Sequence, residues 1–290
     1  MQEVKGLVSI IIPAYNAGSF IGEAINSIIT MQDGIPWELI VVNDGSSDNT
    51  ASVVASFEDP RIKLINQVNT GVSIARNNGL VHAKGEYVCF FDADDLMTPG
   101  FLQVRTNELG QNRKIGFVGG LVETFPDKTP VRRAVAEDPE TDIHFFIPMV
   151  STVPSNYLLR RSVITEHKII FNPLLNSSAD RYFLLEVAKY TTGKSLNTEK
   201  GKLMYRISES SMSHHVTPKL TLDYRKFYEE LNSRNLLPVE KRREIKSMYL
   251  FSLALSFWKI KYRGSGCRHF FLSFATHPLV FFRSFVKRVF

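Results

Sequence analysis

Apolar residues in the first hundred positions follow two rhythms. Leu7-Val8-Ser9-Ile10-Ile11-Ile12 is a nearly unbroken β-branched run stopped by Pro13, the pattern of a strand buried on both faces. Asn16 to Ser19 supply turn and cap chemistry, after which Phe20, Ile21, Ala24, Ile25, Ile28 and Ile29 recur at helical spacing. The two rhythms then repeat. Positions 38–42 predict a second strand, ended by the turn and cap residues 43–48, and positions 50–57 a second helix. A third strand is expected at 62–65, a third helix at 73–83, and a fourth strand at 87–91 that runs straight into Asp92-Ala93-Asp94-Asp95. Strands separated by helices signal βαβ units and a mainly parallel sheet. Ligands of such sheets sit beyond the carboxyl ends of the strands. The turns at 13–16, 43–46 and 92–95 are therefore expected on one rim.

The second half is less regular. Positions 115–122 and 150–159 read as strands, 125–142 as a Pro-rich charged loop, and 180–190 as a helix. Beyond 217 the pattern is helical and amphipathic, with a turn expected at Gly264-Ser265-Gly266 and a break at Pro278. There is no internal repeat or low-complexity tract.

Composition narrows the class. With 290 residues, 44% of them hydrophobic, the chain is long enough for one large domain or two small ones, and disordered or fibrous folds are excluded. The net charge of +6 is unevenly placed. After Glu244 there are eight cations (Lys246, Lys259, Lys261, Arg263, Arg268, Arg283, Lys287 and Arg288) and no acid, which leaves residues 1–244 slightly acidic. A basic tail on an acidic body argues against a nucleic-acid partner, which a basic face on the body would favour. Cys89 and Cys267 form no CxxC pair, so a reduced, cytosolic protein is expected, with Cys89 a buried thiol inside its apolar strand. No signal-peptide pattern opens the chain and no apolar stretch reaches the ~18–20 residues that span a bilayer. Neither export nor a membrane crossing is expected.

Three acids in four residues after an apolar strand are the most informative feature. Carboxylates this close repel unless a cation lies among them, and their oxygens suit Mg²⁺ or Mn²⁺, which completes its shell with substrate phosphates. The alternative is a solvated acidic turn, with Asp95 a cap. Asp44 either bonds a base or ribose or caps the helix that follows. Tyr15 either stacks on a nucleobase or is an ordinary turn aromatic. Arg76 either meets a phosphate or lies on a solvated helix face. GxGxxG and GxxxxGK[ST] are absent, which removes the usual dinucleotide and P-loop phosphate loops.

Four ordered segments resemble one family. Val8-Ser-Ile-Ile-Ile-Pro-Ala-Tyr-Asn16, Glu38-Leu-Ile-Val-Val-Asn-Asp-Gly-Ser-Ser-Asp-Asn-Thr50, Asn69-Thr-Gly-Val-Ser-Ile-Ala-Arg-Asn-Asn-Gly79 and Gly85-Glu-Tyr-Val-Cys-Phe-Phe-Asp-Ala-Asp-Asp95 are similar to the signatures of bacterial family 2 glycosyltransferases with the GT-A fold. The resemblance is close over residues 5–100, loose over 101–215 and slight beyond. It implies a GT-A domain at 1–215, divided into a nucleotide-sugar half (1–100) and an acceptor half (101–215), with 216–290 a basic helical extension. By the same resemblance Pro13, Ala14, Tyr15 and Asp44 line the nucleoside pocket, Arg76 lies near the pyrophosphate, and Asp92, Ala93 and Asp94 form the DxD motif touching ribose and Mn²⁺ or Mg²⁺.

The catalytic base of the family is usually the Asp of a Glu-Asp pair heading a helix, which points to Asp180. Ala179 stands where Glu is common, and a helix-terminal Asp favoured by the dipole is the alternative reading. The segments Tyr205-Arg206-Ile207-Ser208 and Ser211-Met-Ser-His214-His215 resemble the part that closes over the donor, with His214 or His215 reaching metal or phosphate, or neither. The implied reaction moves a sugar with inversion from a nucleotide-sugar, a UDP-sugar, to a glycan or lipid-linked acceptor. A nucleotidyltransferase, or a sugar-nucleotide-binding scaffold without turnover, is the alternative. The tail, with seven of the chain's 21 Phe in its last 21 positions, is either a peripheral anchor on the inner face of an anionic membrane or a hairpin packed on the domain.

Overall fold

The computed structural model describes residues 3–31, 33–126, 130–131, 153–207 and 218–289. The two rhythms become β1 (Val4–Ala14), α1 (Ile21–Thr30), β2 (Trp37–Asp44), α2 (Thr50–Ala55), β3 (Ile62–Gln67), α3 (Val72–His82) and β4 (Gly85–Phe90). Next come β5 (Leu96–Met97), α4 (Phe101–Gln111), β6 (Ile115–Gly119), β7 (Val122–Phe125), β8 (Pro130–Val131), β9 (Leu158–Arg160), α5 (Arg161–Glu166) and α6 (Ala179–Ala188). Then follow β10 (Thr192–Ser195), β11 (Leu203–Arg206), α7 (Pro218–Ser233), α8 (Arg242–Lys259), α9 (Arg263–Thr276) and α10 (Pro278–Val289). Seven strands form one sheet in the order β10-β6-β9-β4-β1-β2-β3, and every pairing in it is parallel except those of β9, which runs against β4 and β6. A small sheet, β5-β11-β7-β8, lies beside it.

The period of two sorts the strands onto two cores. Ile11, Ile40, Val42, Val88 and Phe90 share one core with Ala75 of α3, Ile164 of α5, the apolar residues of α6, and Phe227 and Leu231 of α7. Ile10, Ile12, Leu39, Val41, Cys89 and Phe91 share the other with Ile21, Ile25 and Ile28 of α1, Phe101 and Leu109 of α4, and the small sheet. Cys89 is buried, as its strand pattern requires. α3 lies unusually close to the sheet, since a Cβ at Gly79 would stand 2.3 Å from Cγ2 of Ile11.

Several expectations for the second half are corrected. The run 115–122 is two strands in different sheets, because Asn156 holds the amide (3.1 Å) and carbonyl (2.9 Å) of Gly120 and turns the chain there. The strand expected at 150–159 shortens to β9, preceded by a 3-10 turn at Pro154–Asn156. The loop at 125–142 lies mostly outside the described residues. Gly264-Ser265-Gly266 is the first turn of α9, and the chain reverses earlier, at Lys261 with φ 66°. Gly266 is a packing glycine. A Cβ there would stand 2.3 Å from Cδ1 of Trp258 on α8. Pro278 does break the helix, between α9 and α10. No helix among the described residues is long and apolar enough to cross a membrane.

Candidate active site

β4, β1 and β2 are neighbours in register, with Ile11 opposite Phe90 and Ala14 opposite Asn43. Their carboxyl ends therefore bring residues 13–16, 43–46 and 92–95 to one rim. Ala14 is buried, Pro13 half-buried, and Tyr15 stands free with its side chain 55% exposed. The first two turns are tied together. Asn16 donates its amide to Ser46 Oγ and accepts the Ser47 amide at Oδ1, both at 2.9 Å, and Thr50 Oγ1 takes the Ala17 amide at 2.8 Å.

Asp44 does not cap the helix that follows it. Asp48 does so, accepting the Thr50 amide at 3.0 Å. The buried Asp44 carboxylate instead receives the amides of Thr70 and Gly71, each at 2.8 Å, and the side-chain amide of Gln67 at 2.8 Å. Asp44 thus fixes the loop that starts α3 and orients that helix at the rim.

α3 delivers Arg76 to the centre. The side chain is buried and spans two carboxylates, with Nη2 donating to Asp92 at 2.7 Å and Nη1 donating to Asp180 at 2.6 Å. Asp92 follows β4 and Asp180 lies in the first turn of α6, so one guanidinium ties the acidic turn to α6. Its far face lies 5.1 Å from the Phe171 ring. The two carboxylates are 29% and 21% exposed against 4% for the guanidinium, which sits behind them. Arg76 is therefore not on a solvated helix face, and both its terminal nitrogens are taken by carboxylates. Burial pushes the Asp180 carboxyl up to about 6 against the pull of Arg76.

Asp94 is half-buried beside Asp92, and burial together with that neighbouring charge raises its carboxyl to about 6. Asp95 is fully buried. Burial, Asp92 and Asp94 push it well above the usual carboxylate range, and the Arg206 amide donates to its Oδ1 at 3.2 Å. It is a structural group of the turn and no helix cap. Arg206 also donates from Nε to the Asp94 carbonyl at 2.9 Å, stacks on Phe125 at 4.3 Å and pairs with Glu23 of α1. It ties β11 to the acidic turn.

The donor set fits a hard cation. No group of three metal-ligating side chains occurs among the described residues, and Asp94 has no salt bridge there. A pair of neighbouring carboxylates is what a divalent ion uses when phosphates and water complete its shell. With Asp180 and Arg76 included, the ionised cluster carries a charge of −2. His214 and His215 lie outside the described residues.

The start of α6 is held from a distance. Asp223 of α7, buried, accepts the amides of Asn176 at 2.6 Å and Ser178 at 2.9 Å and the hydroxyl of Ser177 at 2.9 Å. Asn77 of α3 clamps the Phe171 amide and carbonyl, each at 2.8 Å. Behind Asp92, Ser155 Oγ accepts its amide at 2.9 Å, and the neighbouring Asn156 is bound by the buried Arg105 at 2.9 Å through Oδ1 and 3.2 Å through its carbonyl. Burial without a carboxylate partner lowers the Arg105 guanidinium to about 9. Sequence reasoning missed Asp223, Asn77 and Arg105, which reach partners 45 to 96 positions away that leave no local signal.

Comparisons place this arrangement among known proteins. Residues 9–167, more than half the chain, match the model of Glycosyl transferase family 2. UDP-Glc:alpha-D-GlcNAc-diphosphoundecaprenol beta-1,3-glucosyltransferase WfgD of Escherichia coli is 31% identical over 218 residues, covering 74% of this chain and 82% of that protein. TarS 1-349 of S. aureus, solved with UDP-GlcNAc, superposes with a TM-score of 0.68 at 21% identity over 86% of this chain and 73% of that one. The mannosyltransferase PcManGT of Pyrobaculum calidifontis, solved with GDP-Man and Mn2+, gives 0.64 at 17% identity over 92% of this chain and 75% of that one. The parallel sheet, the acidic turn at its rim and these matches agree, and the chain belongs to glycosyl transferase family 2, as an enzyme of the GT-A fold.

Proposed function

We propose that the protein transfers a sugar, with inversion, from a UDP-sugar to a hydroxyl of a glycan or lipid-linked glycan during synthesis of a cell-surface polysaccharide, at the cytoplasmic face of the membrane. The observation that carries this reading is the Asp92–Arg76–Asp180 bridge, which sets a carboxylate of the acceptor half beside the acidic turn of the donor half. The name of WfgD, a UDP-Glc enzyme acting on a diphosphoundecaprenol-linked sugar, supports donor and acceptor class.

Pro13, Ala14 and Tyr15 form the floor on which the nucleoside rests, with Tyr15 free to stack on the base. Asp44 shapes that pocket through the loop 67–71 that it holds. Asp92 faces the ribose and Asp94 the diphosphate, the two flanking Ala93. Asp94 and Asp92 would hold the Mn²⁺ or Mg²⁺, which when bound supplies Lewis-acid stabilisation of the departing diphosphate. Arg76 keeps Asp92 and Asp180 in place and adds positive charge behind the site, near the pyrophosphate. Asp180 takes the proton of the acceptor hydroxyl as that oxygen attacks the anomeric carbon, and its raised carboxyl suits a base working near neutrality. One displacement, through a transition state like that of glycoside hydrolysis, inverts the centre.

Release of nucleoside diphosphate from a panel of UDP- and GDP-sugars with Mn²⁺ or Mg²⁺ and a lipid-linked acceptor tests the proposal. Turnover of a UDP-sugar is expected. Nucleotide binding without release from any donor would instead identify a scaffold subunit.

A further inference from the structure

α9 and α10 are apolar on two sides. Their inner sides meet α8, with the Phe270 and Phe281 rings 4.6 Å apart and Phe251 5.5 Å from Phe281. The outer sides are apolar as well. On α10, Leu279, Phe282 and Val286 recur at i, i+3 and i+7, and Leu279 is 70% exposed; on α9, Phe271 is 69% exposed. Phe274, exposed on α9, meets Phe282 edge to face at 5.8 Å and joins the two stripes into one patch. Helices that keep an open apolar stripe after burying their other side present a surface for a partner.

The charge around the patch selects the partner. Arg268 and Arg283 are exposed on the same two helices, and eight cations follow Glu244 with no acid among them. A second copy docked through this face would set that uncompensated charge against itself. A surface of negative phosphates with an apolar layer beneath satisfies both features. Because no helix among the described residues can cross a bilayer, the contact is interfacial.

We infer that the α9–α10 patch seats on an anionic lipid bilayer, with Phe271, Leu279 and Phe282 entering the interfacial layer and Arg268 and Arg283 meeting lipid phosphates. This contact goes beyond the transfer reaction and does not depend on it, so binding and turnover are read separately.

The test is flotation of the full chain with phosphatidylcholine vesicles, with and without phosphatidylglycerol. The chain should rise with the anionic vesicles, stay behind with the neutral ones, and dissociate as salt is raised. Phe271→Ser combined with Phe282→Ser, and separately Arg268→Gln combined with Arg283→Gln, should each cut the bound fraction about tenfold or more. All four positions are exposed, and unchanged thermal unfolding of both variants confirms that their folds persist. Failure to float with anionic vesicles overturns the inference, as does equal flotation of parent and variants. A parent dimer that the serine pair converts to a monomer overturns it too, by giving the face to a second copy. A chain that turns over donor without floating loses only the membrane contact. One that floats without turning over donor loses only the proposed reaction.

Discussion

Arg76 shows how far the role of one residue depends on what surrounds it. A guanidinium with two carboxylates 2.6 and 2.7 Å away is a fixed strut, and a conservative change does not replace a fork that binds two partners. Arg76→Met should cost roughly 3 kcal/mol, the low end for breaking a buried ion pair, because both carboxylates retain some solvent. It should also push the Asp180 carboxyl further up. Thermal unfolding together with a pH–rate profile checks both effects. Asp180→Asn should lower kcat about 10²–10⁴-fold while donor binding persists, the range for loss of a general base. Its titration fixes a sign. A base acts only when deprotonated, so kcat, measured at saturating metal to hold Asp94 ionised, should fall as pH drops through about 6 and level off above 7. A flat profile from pH 5 to 8 in a chemistry-limited assay would remove Asp180 from that role. The acid at 180 was legible because it heads a helix pattern in a familiar place. Its pairing with Arg76, 104 positions earlier, was not.

At the scale of elements, helix starts divide by where their caps come from. α2 is capped by Asp48 two residues away, and a turn followed by a cap was readable there. α4 was not foreseen. Its first amides, of Gly100, Leu102 and Gln103, are taken by Asp33, some seventy positions earlier, which no local pattern announces. α6 is held in the same way by Asp223 from α7. Asp223→Ala should therefore cost about 1–2 kcal/mol, the upper range for a lost cap, and lower kcat more than donor affinity, because it frees the turn carrying Asp180. A loss of stability with kcat intact would make Asp223 purely structural. Gly79→Ala makes the complementary case from the other side of the site. With 2.3 Å to Ile11 Cγ2 the new methyl must push α3 off the sheet, at about 1–3 kcal/mol, and should weaken transfer through Arg76 on the same helix. Gly264-Ser265-Gly266 was misread as a turn because glycine serves both purposes, and only the position of Trp258 shows that here it makes room for packing.

Across the whole molecule, the candidate site is assembled from α3, the acidic turn after β4 and α6, and is steadied by α7. Phe227 and Leu231 of α7 share a core with α6, so the C-terminal region begins inside the catalytic body, while α9 and α10 carry an exposed apolar face. Ligands that engage both halves should stabilise the fold as a unit. UDP with Mn²⁺ should raise the melting temperature more than either alone, through binding linkage, and chelation should abolish transfer. Equal shifts with and without the metal would argue against a cation held by Asp92 and Asp94. The sequence by itself determined the βαβ half, the rim on which its turns meet and the acidic turn, because strand and helix periods, turn residues and clustered charge act over a few positions. The uneven charge that sets the tail apart was equally plain in it. Tertiary structure alone decided that Arg76 is a strut between Asp92 and Asp180, that Asp44 serves the loop before α3, and that Asp223 and Asp33 cap distant helices. Those assignments rest on groups dozens of positions apart, which meet only once apolar burial has stacked the helices on the sheet.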